Sequence, residues 1–349
     1  MAALSYSFKV RTYCATFNHE NYIIDALKGF AMQQTTFPVV YTIVDDASTD
    51  GTAAVIKKFV SENFSLDANS VGFEKDLDYG HVTFAQHKTN TNCHFAIIYL
   101  KENHFSQKKS KRPYLNEWMD TKYIALCEGD DYWTDPLKLQ RQVEFMEEHV
   151  ECSVCSHRFN VLDQNLNKME EDWLSPCFAK DNQEGFFYSN GDNYGIWITQ
   201  PMTTVYRNSV SSTIDLKKYK YACDIHLYYH LLKSGKGYCF PFVGAVYRKH
   251  EGGTDSPFTQ KDRFKMGILK YGDLYRHNRE DKGLAKYYKR SLDLFCYQHV
   301  IQKLGEENKD GARQDFAFVR KEYRDSFGLK GWWTCVKKVA HASLKQKKK

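Results

Sequence analysis

No stretch of this sequence approaches the roughly 18 consecutive apolar residues of a membrane-spanning helix. The first ten residues, Met1 to Val10, lack the basic start and long apolar segment of a secretory signal. Both absences lead to the expectation of a cytoplasmic protein whose ten cysteines are reduced thiols. Cys152, Cys155 and His157 have no second ligand pair at zinc-finger spacing, and their segment alternates as a strand does, so they are expected to be buried strand residues. No Gly-rich, basic phosphate loop follows the first strand-like run. That absence counts against a sugar-phosphate nucleotidyltransferase. Internal repeats are also lacking. Between Leu329 and Lys349 there is no acidic residue, against seven lysines.

What is present suffices for one large domain or two ordinary ones: 349 residues, 42% hydrophobic and 15% aromatic. The net charge of +6 is too small to argue for nucleic acid. The basic loop 107–113 is most simply a solvated surface.

The first 60 residues alternate between two periodicities. Phe8 to Thr16 suits a strand, and Asn18 to Asn21 a turn. Ile23, Ile24, Leu27 and Phe30 then recur at helical spacing. Val39 to Val44 is an unbroken β-branched and aromatic run, as in a strand covered on both faces. Val55, Ile56, Phe59 and Val60 mark a second helix. Strand, helix, strand, helix implies a parallel sheet with helices packed on it. Residues 66–92 show weak periodicity and are expected to be an irregular insertion. His94 to Leu100 and Tyr123 to Cys127 supply two more strands. Residues 150–215 are mostly strand and loop, 222–234 a helix carrying Asp224, and Gly237 to Arg248 a strand. The pattern beyond about 258 is helical.

The run Tyr123 to Cys127 stops at three carboxylates, Glu128, Asp130 and Asp131. Carboxylates crowded on one turn repel each other unless a cation or ligand relieves them. Ligands of open α/β sheets bind beyond the carboxyl ends of the strands. The first strand ends at Thr16 to Asn18, the second at Asp45 and Asp46, and the fourth at this turn. Helix capping accounts for Ser48, Thr49 or Asp135, but poorly for two acidic doublets on one sheet edge.

Thr16 to Asn18, Tyr41 to Thr52 and Ala125 to Trp133, in this order and at these strand ends, resemble the motifs of family 2 glycosyltransferases of the bacterial surface-polysaccharide type. The resemblance covers about residues 1–150 closely and continues more loosely from Asp224 to His250. It implies the GT-A fold, an α/β architecture with a mostly parallel sheet and helices on both faces, here followed by a helical C-terminal extension. It also implies a metal-dependent inverting transfer from a nucleoside-diphosphate sugar to a hydroxyl of a saccharide or lipid-linked saccharide.

The implied nucleotide-sugar site is Thr16, Asn18, Asp45, Asp46, Glu128, Asp130 and Arg248. The implied metal site is Asp130, Asp131 and His250, holding Mg2+ or Mn2+. Glu128 stands where the family more often has Asp. Asp224 matches the catalytic base, with Cys223 where Glu is more usual. Thr203, Thr204 and Trp197 fall where the acceptor surface would be.

The expected organisation is a transferase domain at 1–256, divided near 150 into nucleotide and acceptor halves. A helical extension at 257–328 and a basic amphipathic tail at 329–349 follow. On a helix, Trp332, Val336, Val339 and Ala340 would share one face, suited to an anionic membrane surface. Peripheral attachment at the inner face of the membrane would follow; the alternative for the tail is a docked terminal helix with a disordered lysine-rich end. The non-enzymatic alternative is a nucleotide- or membrane-binding protein.

Overall fold

Val39 to Asp45 is buried at every position, and the reason lies in both of its faces. Tyr41 stacks on Phe30 with ring centroids 5.2 Å apart, on the side covered by helices. Val40 and Val44 point the other way, into a cluster with Val82, Phe84, Ala96, Ile98, Leu115 and Trp118. This strand therefore needs no polar alternation, as expected for the centre of a parallel sheet.

The computed structural model describes residues 7–66, 71–171, 184–196, 198–253, 258–305 and 309–346. Strands and helices alternate at the start: β1 (Phe8–Thr16), α1 (Ile23–Ala31), β2 (Val39–Asp45) and α2 (Thr52–Asn63). The strands β3 (Phe64–Ser65), β4 (Phe73–Leu77), β5 (Gly80–His87) and β6 (Cys93–Leu100) follow. The expected irregular insertion thus contains an antiparallel hairpin, β4 on β5. The outer strand β4 is exposed along nearly its whole length, so no apolar alternation marked it in the sequence.

Next come β7 (Thr121–Leu126), β8 (Tyr132–Trp133), α3 (Lys138–Glu148), β9 (Cys152–Asp163), β10 (Lys168–Glu170) and β11 (Phe186–Tyr188). Two one-turn helices, α4 (Asn190–Asn193) and α5 (Asn208–Ser211), flank β12 (Val205–Arg207). Then come α6 (Asp224–Ser234) and β13 (Lys236–Lys249). Cys152, Cys155 and His157 are buried on β9.

The sheet order is β11-β13-β9-β12-β7-β1-β2-β6-β5-β3. Its centre, β7-β1-β2-β6, is parallel throughout. β12 enters antiparallel between β7 and β9, and β9 pairs in parallel with β13.

The chain divides into two compact units, residues 1–214 with 228–253, and residues 215–227 with 254–349. The second contains α7 (Gln260–His277), α8 (Lys282–Cys296), the short α9 (Gln302–Gly305) and α10 (Lys309–Gln346). α7 opens with a reciprocal cap between Thr259 and Asp262. α10 bends at Gly328, whose φ of 66° is a left-handed conformation that glycine adopts without a Cβ clash. Beyond the bend, Gly331, Cys335 and Val339 recur at helical spacing and are buried. Cys335 meets Cys296 of α8, and Lys338 pairs with Asp293. The tail helix therefore docks by the 331-335-339 stripe. This is not the 332-336-339-340 face drawn from the sequence. Leu329 and Trp333 point outward, 73% and 54% exposed. Among the described residues, no helix is long and apolar enough to cross a membrane.

Candidate active site

The acidic turn is fixed by an extension of the sheet ladder. Cys127 N donates to Tyr13 O at 3.2 Å and Gly129 N to Ala15 O at 2.9 Å, so the chain runs beside Thr16 after β7 has ended. A Cβ on Gly129 would lie 2.7 Å from the Thr16 side chain; only glycine allows this approach. β8 then pairs with β13, Tyr132 opposite Val246 and Trp133 opposite Ala245. That pairing brings the end of β13, and His250 just beyond it, to the turn.

The two adjacent aspartates face different surroundings. Asp131 is buried, and its Oδ1 accepts from Arg248 N at 2.9 Å. Burial pushes its carboxyl well above the usual range, and Asp130 beside it adds to the rise. Asp130 Oδ2 lies 3.1 Å from His250 Nε2 and 3.9 Å from His19 Nε2. Burial works to raise the Asp130 carboxyl, but its contacts with His250 and His19 prevail and hold it below its ordinary value. Ligand atoms of His19, Asp130 and His250 all lie within 4.8 Å of one another, a set with the spacing to hold a metal ion. It is the one such cluster among the described residues. Asp131 is not part of it.

In sequence His19 belongs to the polar turn 18–21. The signal for it is three-dimensional: two loops brace each other across the sheet edge. His19 N donates to Thr52 Oγ1 at 2.8 Å, Asn18 N to Ser48 Oγ at 2.9 Å, and Gly51 N to Glu20 Oε2 at 3.0 Å. Asn18 Oδ1 accepts from Thr49 N at 2.8 Å, with Asn18 itself at a positive φ of 56°. Asparagine tolerates that conformation better than most residues.

The other anticipated residues are spread along the same edge. Thr16 is opposite Asp45 in the β1–β2 register, and its Oγ1 is buried without a hydrogen bond. Asp45 accepts from the backbone and hydroxyl of Ser48; burial raises its carboxyl pKa, and the Ser48 bonds oppose the rise. Asp46 accepts from His104 N at 2.8 Å and Phe105 N at 3.0 Å and pairs with Lys111 at 2.8 Å. Its carboxylate therefore organises the 104–111 loop. Glu128 is exposed at the turn. Arg248 reaches Asp25 at 2.6 Å and sits 5.0 Å from the ring centres of both Tyr22 and Tyr132. Tyr22 in turn packs on His250, with centroids 4.4 Å apart.

Asp224 is the first residue of α6, beside Cys223, whose Sγ is 3.4 Å from His226 Nδ1. Thr203 and Thr204 are fully buried and bond to Gln200 O and Pro201 O, so they pack the interior and offer no surface. Trp197 and residues 254–257 lie outside the described residues.

No known family profile matches the sequence. Uncharacterized proteins of Mycobacterium bovis and of two Mycobacterium tuberculosis strains are each 30% identical over 250 residues, 71% of this chain and 61% of theirs. The chain thus spans about three fifths of the curated relatives it matches. Among solved structures, residues 1–349 of S. aureus TarS in complex with UDP-GlcNAc align with a TM-score of 0.55 at 14% identity, over 91% of this chain and 81% of that one. A mannosyltransferase from Pyrobaculum calidifontis, in complex with GDP-Man and Mn2+, aligns with a TM-score of 0.50 at 14% identity, over 97% and 81%. At these identities the likeness is one of fold. The chain has the GT-A fold, with the cluster at the carboxyl edge of its parallel strands.

Proposed function

We propose that the chain is a metal-dependent, inverting glycosyltransferase of the family 2 type. It would move a sugar from a nucleoside-diphosphate sugar to a hydroxyl of a saccharide or lipid-linked saccharide in surface-polysaccharide synthesis. One observation carries this reading: His19, Asp130 and His250 converge at the strand ends of a GT-A sheet. The fold likeness to proteins solved with UDP-GlcNAc and with GDP-Man supports the donor class.

In this proposal Thr16, Asn18, Asp45, Asp46 and Glu128 line the nucleoside side, where carboxylates accept from base N–H and sugar hydroxyls. Asp130 and His250 hold Mg2+ or Mn2+, and Asp131 fixes the turn that carries Asp130. The cation, when bound, offsets the charge on the departing diphosphate. Arg248 holds the His250 end of β13 against α1, and from there its planar fork serves diphosphate oxygens. Asp224 takes the proton from the acceptor hydroxyl as that oxygen bonds to the anomeric carbon and the bond to the diphosphate breaks. A membrane surface rich in anionic lipid is proposed as a further partner, met by the outward side of the tail helix.

The test is a scan of sugar nucleotides for free nucleoside diphosphate, with and without Mn2+. Release from one donor that stops with EDTA is the expected result. No release from any donor, together with no thermal stabilisation by UDP or GDP plus Mn2+, overturns the reading in favour of a binding protein.

A further inference from the structure

Among the described residues, the ring of His19 makes no hydrogen bond. Its Nε2 stands 3.9 Å from Asp130 Oδ2, and its Nδ1 is buried without a partner. Asp130 Oδ1 is likewise buried and without a partner. A buried polar atom left unpaired costs free energy unless an ion or water completes it. A contact between Asp130 and His250 alone would account for one pair and leave His19 unexplained. A cation about 2.1 Å from each of three donors separates those donors by roughly 3 to 4.3 Å, from the usual metal–ligand distances. The Asp130 separations of 3.1 and 3.9 Å fall in that interval.

Resting on the reading of the site as metal-assisted, we propose that His19 is its third protein ligand. We propose further that two imidazoles and one carboxylate make it select a first-row transition cation over Mg2+. Mg2+ demands oxygen ligands and gives up its water reluctantly. Nitrogen donors favour the later ions, in the order Mn2+, Fe2+, Co2+ and upward. A turn offering two carboxylates would have suited Mg2+. Here the second, Asp131, is taken up by the backbone of Arg248. His19 is also held in advance, since the bonds from Asn18, His19 and Gly51 lock its loop against residues 48–52. Three protein ligands leave coordination positions open for phosphate oxygens.

The experiment is calorimetric titration of the full chain with Co2+, Mn2+ and Mg2+, no nucleotide present, with the visible spectrum of the Co2+ form recorded alongside. Co2+ and Mn2+ are expected to bind at least about tenfold more tightly than Mg2+, Co2+ more tightly than Mn2+. His19→Ala is expected to weaken Co2+ at least about tenfold and to change the spectrum, with circular dichroism unchanged. His19→Gln, which keeps a polar group, serves if the alanine variant fails to fold. Equal affinity for Mg2+ and Co2+, or an unchanged Co2+ affinity and spectrum in the variant, overturns the proposal. The two readings separate: diphosphate release with Mn2+ from a His19→Ala chain whose Co2+ affinity and spectrum match those of the parent removes this inference and leaves the transferase. Co2+ binding that depends on His19, without release from any donor, supports the metal assignment and removes the transferase.

Discussion

Asp130 Oδ2 and His250 Nε2 lie 3.1 Å apart, joining the turn after β7 to the end of β13 across 120 residues of chain. The contact helps to place His250, which also packs on the ring of Tyr22. Asp130→Asn keeps the size and one acceptor oxygen but removes the charge. It is expected to abolish stabilisation by Mn2+ and to lower diphosphate release by about two to three orders of magnitude, the usual scale for losing an electrostatic contact to the developing charge. Thermal shift with Mn2+ and the release assay read the two effects. A variant that still gains stability from Mn2+ would remove Asp130 from the metal site.

Asp131 gives the opposite expectation for stability. Its folded pKa lies above the unfolded value because it is buried beside Asp130. The folded state therefore binds the proton more tightly than the unfolded chain. That contribution is full below the ordinary carboxylate pKa of about 4 and is lost as pH rises through the folded value. Asp131→Asn cannot ionise, and its Oδ1 still accepts from Arg248 N. In metal-free buffer its Tm should exceed that of the parent chain at pH 7, and the two curves should converge toward about pH 4. A lower Tm for the variant at pH 7 would show that the charge itself stabilises the turn.

The parallel centre of the sheet was legible because its strands are buried on both faces and written as continuous apolar runs, as in Val39 to Val44. The acidic turn was legible because three carboxylates after such a run have few structural uses. Which of them joins the cluster was not legible. Asp130 and Asp131 are adjacent in sequence, and only the pairing of β8 with β13 sends one to the site and the other into the interior. His19 escaped notice for a related reason: its partners stand 111 and 231 positions away, and its own segment looked like any polar turn. The hairpin β4–β5 was missed because Glu74, Lys75 and Asp76 face solvent and erase the alternation.

Asp224 supplies a kinetic test that separates chemistry from binding. The motif position implies a base, and a base acts in the transition state without holding the nucleotide. Asp224→Asn is expected to cut transfer by about 100- to 10,000-fold, the range for general-base catalysis, while leaving the dissociation constant of UDP or GDP with Mn2+ nearly unchanged. Transfer kinetics and calorimetry on the same preparation measure both. Parallel losses in transfer and nucleotide binding would make Asp224 a structural cap, since an acid in the first turn also complements the helix dipole.

The two sides of the tail helix predict different outcomes for the same kind of substitution. Val339 lies on the docked stripe, so Val339→Asp puts an unpaired carboxylate into an apolar contact and should lower Tm at a cost of several kcal/mol. Leu329 and Trp333 stand outward on the same helix, in a segment with seven lysines and no acid. Such a surface adsorbs to anionic lipid by burying its apolar groups while each nearby lysine adds about 1 kcal/mol of attraction. The full chain should therefore float with vesicles containing phosphatidylglycerol and not with phosphatidylcholine alone, and less so as salt rises. Leu329→Glu with Trp333→Glu should abolish flotation and leave Tm within about 1 °C of the parent, because exposed positions contribute little to folding. Unchanged flotation in the double variant would end the membrane assignment for Leu329 and Trp333.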